Sequence, residues 1–175
     1  SLATVDGNRV GRRQCTVRQV ERNGTLVRIT EDVFTITMTR FGEEQEMVFS
    51  ELREETLDGQ LIKVTETVQM PGEPITVFDA VLMGEEVVVT TTVGEEISEE
   101  RLPWTDELSQ GMRLRSNLAM HDWTPDEQVV TTQYGFGGIA QSTYTNRGEV
   151  EMTMVDGSQR TLLLIEQQAE GAEGE

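Results

Sequence analysis

The sequence predicts a mainly β protein: an antiparallel up-and-down meander of about ten or eleven strands, forming a curved sheet or open half-barrel with a short helical insert. Three observations predict it. Apolar residues alternate with polar ones at period two, turn signals separate these runs at short regular spacing, and one segment, 103–123, breaks both patterns.

The alternation is clearest in "VFTITMT" (33–39), where Phe34, Ile36 and Met38 share one face and Thr35, Thr37 and Thr39 the other. In "IKVTETVQM" (62–70), Ile62, Val64, Val68 and Met70 line one face, interrupted by Glu66. Val150, Met152 and Met154 repeat the pattern in "VEMTM" (150–154). "VVVTTTV" (87–93) and "TLLLI" (161–165) are more continuous, which predicts strands covered on both faces.

Turn signals fall between these runs: "DGN" (6–8), "RNG" (22–24), "FGEE" (41–44), "LDGQ" (57–60), "PGEP" (71–74), "MGEE" (83–86), "VGEE" (93–96), "GFGG" (135–138), "NRG" (146–148) and "VDGS" (155–158). The tripeptide Gly-Glu-Glu recurs three times among them. Each copy lies where one alternating run ends and the next begins. Glycine takes the strained turn position, and the glutamates open the next strand in solvent, where charge also discourages edge-to-edge pairing. A weak calcium site is the rival reading. Ca²⁺ wants six to eight clustered oxygens, and no loop has that spacing.

The insert carries helical cues. Thr105 or Asp106 caps, Leu108, Met112 and Ala119 fall roughly on one stripe with Leu118 beside it, Gly111 weakens the helix and Pro125 closes it. One or two short helices are expected, bracketed by Trp104 and Trp123 and covering one end of the sheet. A single β-rich domain over 1–168 is expected, followed by a flexible acidic tail or linker over 169–175.

The formal net charge of -18 argues against nucleic acid and anionic membrane surfaces as partners. The charge is uneven: residues 1–41 are net positive, and 42–100 are strongly negative. Basic first strands beside acidic later ones would form modestly stabilising cross-strand pairs. No apolar run approaches the ~18 residues of a transmembrane span. No signal peptide is visible, and the opening Ser1 fits a piece whose targeting segment lies upstream.

Catalytic signals are weak. Cys15 and His121 are the lone cysteine and histidine. Cys15 sits mid-strand in "RRQCTVRQV", and a buried or half-buried structural role is expected. A thiol enzyme would require His121 beside it, oriented by a group such as Asp122; a surface or helix-end histidine is expected instead. The two cannot build a usual zinc site. "YGFGGIA" (134–140) lacks the Lys-Ser/Thr and the strand-to-helix context of a phosphate loop. No catalysis, cofactor or metal is expected.

Several stretches in order resemble the non-catalytic β-domain that precedes transglutaminase-like (papain-fold) domains in some bacterial exported or membrane-anchored proteins. They are "VDGNRVGRRQCTV", "FTITMTRFGEEQEMVFSELREETLDGQL", "VVVTTTVGEE" followed by "RLPW", and "WTPDEQVVTTQY". Together they cover most of the chain, though each motif is short and turn-like. Asp126 follows Pro125 where the family has Gly, and Arg12 stands where an aromatic is common. The family's catalytic residues belong to a downstream domain and do not map onto Cys15 or His121. The resemblance implies an accessory, extracytoplasmic β-domain ahead of another module.

Two functions follow as expectations. The first is a non-enzymatic interaction domain that binds or positions a protein or peptide partner or an adjacent catalytic domain. The alternative is an open-barrel carrier of lipid or lipoprotein acyl chains, with an apolar cavity under the insert lined by Trp104, Leu108, Met112, Leu118 and Trp123.

Overall fold

A computed structural model describes residues 2–5, 8–40, 43–135, 138–154 and 156–170. The turn signals at 6–8, 41–44, 135–138 and 155–158 lie wholly or partly outside the described residues, as does most of the expected tail at 169–175. The strands run antiparallel in two sheets, and every sheet neighbour is also a neighbour in sequence. The chain falls into two compact units, Ser1–Thr105 and Asp106–Glu175, within and beyond the expected 1–168 span.

The first unit is an eight-stranded meander: β1 (Leu2–Val5), β2 (Asn8–Arg22), β3 (Thr25–Arg40), β4 (Glu43–Thr56), β5 (Leu61–Gln69), β6 (Thr76–Met83), β7 (Glu86–Val93) and β8 (Glu96–Pro103). β1 and β8 stand at opposite edges, so the sheet is open rather than closed into a barrel. The Gly-Glu-Glu units at 83–86 and 93–96 are hairpin turns, as expected. Met83 pairs with Glu86 and Val93 with Glu96 across two-residue loops. Gly84 and Gly94 adopt φ of 68° and 60° at the first loop position, the arrangement of a type II′ turn.

Cross-strand partners share a face. One face of this sheet carries Arg28, Glu55, Glu51, Glu66, Val64, Ala80, Val89 and Val87 in successive strands, most of them buried. The other face carries Leu52, Thr65, Asp79, Thr90 and Glu99, none of them buried, while in β3 it carries the buried Val27, Ile29 and Thr35 beside the exposed Glu31. There Asp79 accepts from Lys63 at 2.9 Å and from the Thr65 hydroxyl at 2.6 Å. "VVVTTTV" lies in β7, an interior strand next to the edge, with Val87 and Val89 buried and Val88, Thr90, Thr91 and Thr92 half-buried.

The second unit begins with α1 (Asp106–Ser116) and the 3₁₀ turn η1 (Leu118–Met120), followed by β9 (Gln128–Gly135), β10 (Gly138–Thr153) and β11 (Gln159–Glu170). The insert is therefore two short helices, as its cues predict. Asp106 and Glu107 open α1 while Arg113 and Arg115 close it, each matched to the helix dipole. The strand order is β11-β10-β9, and α1 packs on β9.

The expectation that "TLLLI" is covered on both faces is not met. It lies in β11, an edge strand, and Leu162, Leu163 and Leu164 are all exposed. Local pattern reports the strand; only the neighbours decide what covers it.

Candidate functional site

The five residues expected around an apolar cavity are distributed as follows. Leu108 and Met112 lie on the buried stripe of α1 together with Gly111. Met112 Sδ accepts the Tyr134 backbone N–H at 3.3 Å, and Arg115 donates to the Tyr134 carbonyl at 3.3 Å. Gly111 lies against the β9 backbone: a Cβ there would be 1.9 Å from the Thr132 carbonyl oxygen. The helix is seated directly on β9. Leu118 and Trp123 meet in the following loop, where Trp123 Nε1 donates to the Leu118 carbonyl at 3.1 Å. Trp104 belongs to the first unit, its backbone N–H bonded to the Glu85 carbonyl at 2.8 Å.

Cys15 is exposed, which corrects the expectation of a buried or half-buried thiol. β1 pairs with β2 only as far as Arg12, so beyond that point β2 is itself the sheet edge. Residues 12–19 are exposed throughout. Cys15 stands opposite Asp32, which accepts two 2.9 Å bonds from Arg13 Nε. That carboxylate holds the Arg13 guanidinium above its already high ordinary pKa.

His121 closes η1, the helix-end position expected, and lies in the second unit. Its Nε2 is 3.1 Å from Glu127 Oε1, and its ring meets Trp123 edge-on at 4.6 Å. Glu127 Oε2 accepts the Thr124 backbone N–H at 2.7 Å. That bond first, then His121, lowers the Glu127 pKa below its ordinary value. Asn146 fastens the loop to β10 by donating to the Thr124 carbonyl at 2.7 Å. The arrangement is a loop clasp built from a histidine, a carboxylate and an indole.

Sequence reasoning missed a buried charged cluster in the first unit. Arg28 donates to Glu55 Oε2 at 3.2 Å from Nε and 3.1 Å from a terminal nitrogen. Arg53 pairs with Glu51 and lies 3.7 Å from Glu55. Glu66, fully buried, stands opposite Glu51. The signal was present in part: Glu66 interrupts an apolar face, and basic early strands were expected beside acidic later ones. Arg28–Glu55 and Arg22–Glu54, at 3.3 Å, are such pairs. Their depth was not legible. Arg53 Nε is buried with no hydrogen-bond partner among the described residues.

Two further surfaces bear on binding. A half-open pocket of about 180 Å³ lies over β2 and β3. Its lining is three opposed pairs, Arg12 with Thr35, Gln14 with Val33 and Thr16 with Glu31. At the far edge, β8 is exposed at every residue except the half-buried Leu102, and it carries Glu96, Glu99 and Glu100 against Arg101. Arg101 is shared between Glu86 and Glu99 at 3.4 and 3.3 Å.

Among the described residues no group of three or more His, Cys, Asp or Glu is placed to hold a metal ion, and no helix is long and apolar enough to cross a membrane. No family model, curated protein or solved structure matches this chain.

Proposed function

We propose that this chain is a non-enzymatic accessory β-domain that binds or positions a protein partner, and that β8 is the edge it offers. The carrying observation is an edge strand exposed along its length and acidic on both faces: Glu96 and Glu100 on one, Glu99 on the other. A free edge adds an extended segment through backbone hydrogen bonds, and side chains choose which segment. Three glutamates repel acidic strands and a second copy of β8 alike. The fitting partner is therefore an extended basic segment of a protein or of an adjacent domain. The resemblance to domains ahead of transglutaminase-like modules supports an extracytoplasmic accessory role.

The alternative role as a lipid carrier asks for an apolar cavity beneath the insert. Leu108 and Met112 instead support the interaction reading, because they spend their apolar surface on packing α1 to β9.

The test is a calorimetric titration of the chain with a peptide of alternating lysine and valine. Binding is expected, weakening as salt rises. Glu96→Gln, Glu99→Gln and Glu100→Gln combined should weaken it about tenfold, since each removes charge without touching the strand ladder. Unchanged affinity in that triple variant, or no binding by the parent chain, sinks the proposal.

A further inference from the structure

The second unit leaves its outer strand uncovered. β11 has β10 on one side and, among the described residues, no strand on the other. Leu162, Leu163 and Leu164 at its centre are 37%, 45% and 48% exposed. Because successive side chains point to opposite faces, both faces of the strand present leucine. Protein edges are usually blunted by lysine, proline or shortness. β11 has 12 residues, and neither lysine nor proline among them. Its charged residues are Arg160, Glu166 and Glu170, and the first two lie symmetrically three residues either side of Leu163.

We propose that β11 joins two copies of this chain, pairing antiparallel about a two-fold axis through Leu163. In that register Leu163 meets Leu163 of the second copy, Leu162 meets Leu164, Thr161 meets Ile165, and Arg160 meets Glu166. Symmetry makes the last three pairs occur twice. Arg160 and Glu166 favour this register over those shifted by two residues. A shift of two residues sets Arg160 against Leu164 or Gln168 and Glu166 against Ser158 or Leu162. Parallel in-register pairing would stack arginine on arginine and glutamate on glutamate. Glu166 also accepts from Arg147 Nε at 2.6 Å within its own chain, and a carboxylate has lone pairs for a second donor. The two three-stranded sheets become one of six strands, and the leucines leave water. This inference is independent of the role given to β8, which lies in the other unit.

The test is sedimentation of the full chain over a concentration series. A monomer–dimer equilibrium is expected. Arg160→Glu and Glu166→Arg should each weaken dimerisation about tenfold, because each turns two attractive pairs into repulsive ones. The double variant should return to within about threefold of the parent. It cannot restore the Arg147 contact, so recovery identifies pairing between copies. Leu163→Lys, which sets two ammonium groups against each other at the axis, should abolish the dimer while Trp123 fluorescence keeps its folded value. A chain that stays monomeric at high concentration, or a double variant no better than the singles, overturns the proposal and leaves this edge to a different protein's strand.

Discussion

In the first unit, β4 and β5 bury Glu51, Arg53, Glu55 and Glu66 on one face, with the half-buried Arg28 of β3 beside them; in the second, β9 and β10 bury Thr131, Gln133, Ser142 and Tyr144, which carry no charge. Gln133 Nε2 donates to the Tyr144 hydroxyl at 2.8 Å and to Thr131 at 2.7 Å, so the neutral set is closed by its own hydrogen bonds. The charged set depends on partners of opposite sign staying in register across three strands. The difference teaches where each unit is vulnerable. Removing one partner from a buried ion pair leaves an uncompensated charge, whereas a neutral network loses roughly one hydrogen bond at a time.

The largest expected effect breaks the charged side of that comparison. Arg53→Met removes the guanidinium that Glu51 and Glu55 share. The loss should be about 3–5 kcal/mol, read by urea unfolding followed at Trp104, which lies in the first unit. A loss below about 1 kcal/mol, the range of exposed pairs, would mean that the cluster is solvated.

The next effect sharpens the neutral side. Gly111→Ala gains about 1 kcal/mol of helix propensity but pushes a methyl into the Thr132 carbonyl. That oxygen belongs to backbone and cannot swing aside, so the overpacking cost of about 1–3 kcal/mol should win. Unfolding followed at Trp123 checks it, and a stabilised variant would show that α1 stands off β9.

The smallest effect lies in the loop clasp. The folded pKa of Glu127 is below its ordinary value of 4.5. Its contribution is therefore complete above that value and disappears as pH falls through the lower folded one. Glu127→Gln should flatten the stability profile in that acid window and leave its shape at neutral pH unchanged. An unaltered acid limb would remove Glu127 from the clasp.

Much of the fold was legible because its determinants are local. "RNG" at 22–24 becomes a turn with Asn23 and Gly24 at φ of 51° and 78°, the backbone demand that those residues meet cheaply. The insert announced itself through the capping residues Thr105 and Asp106 and the spacing of Leu108 and Met112. The candidate sites were less legible. "VVVTTTV" and "TLLLI" read alike, yet the first has a strand on each side and is largely covered while the second is an exposed edge. Glu66 reads as an interruption in the sequence, but not as a member of a buried charged cluster with Glu51, Arg53 and Glu55. Cys15 reads as inside because it sits mid-strand, whereas β1 stops short of it.

By itself, then, the sequence determined the strands, many of the turns that join them, the two short helices and the sign of each charged stretch; the turn expected at 146–148 is instead a bulge inside β10. Period, turn chemistry and capping act over a few residues, so one chain contains all the terms. Only the tertiary structure decided which face is buried, which strands are edges and which charges meet. Those depend on residues far apart in the chain, such as Arg28 with Glu55 and Asn146 with Thr124, whose approach no local pattern encodes.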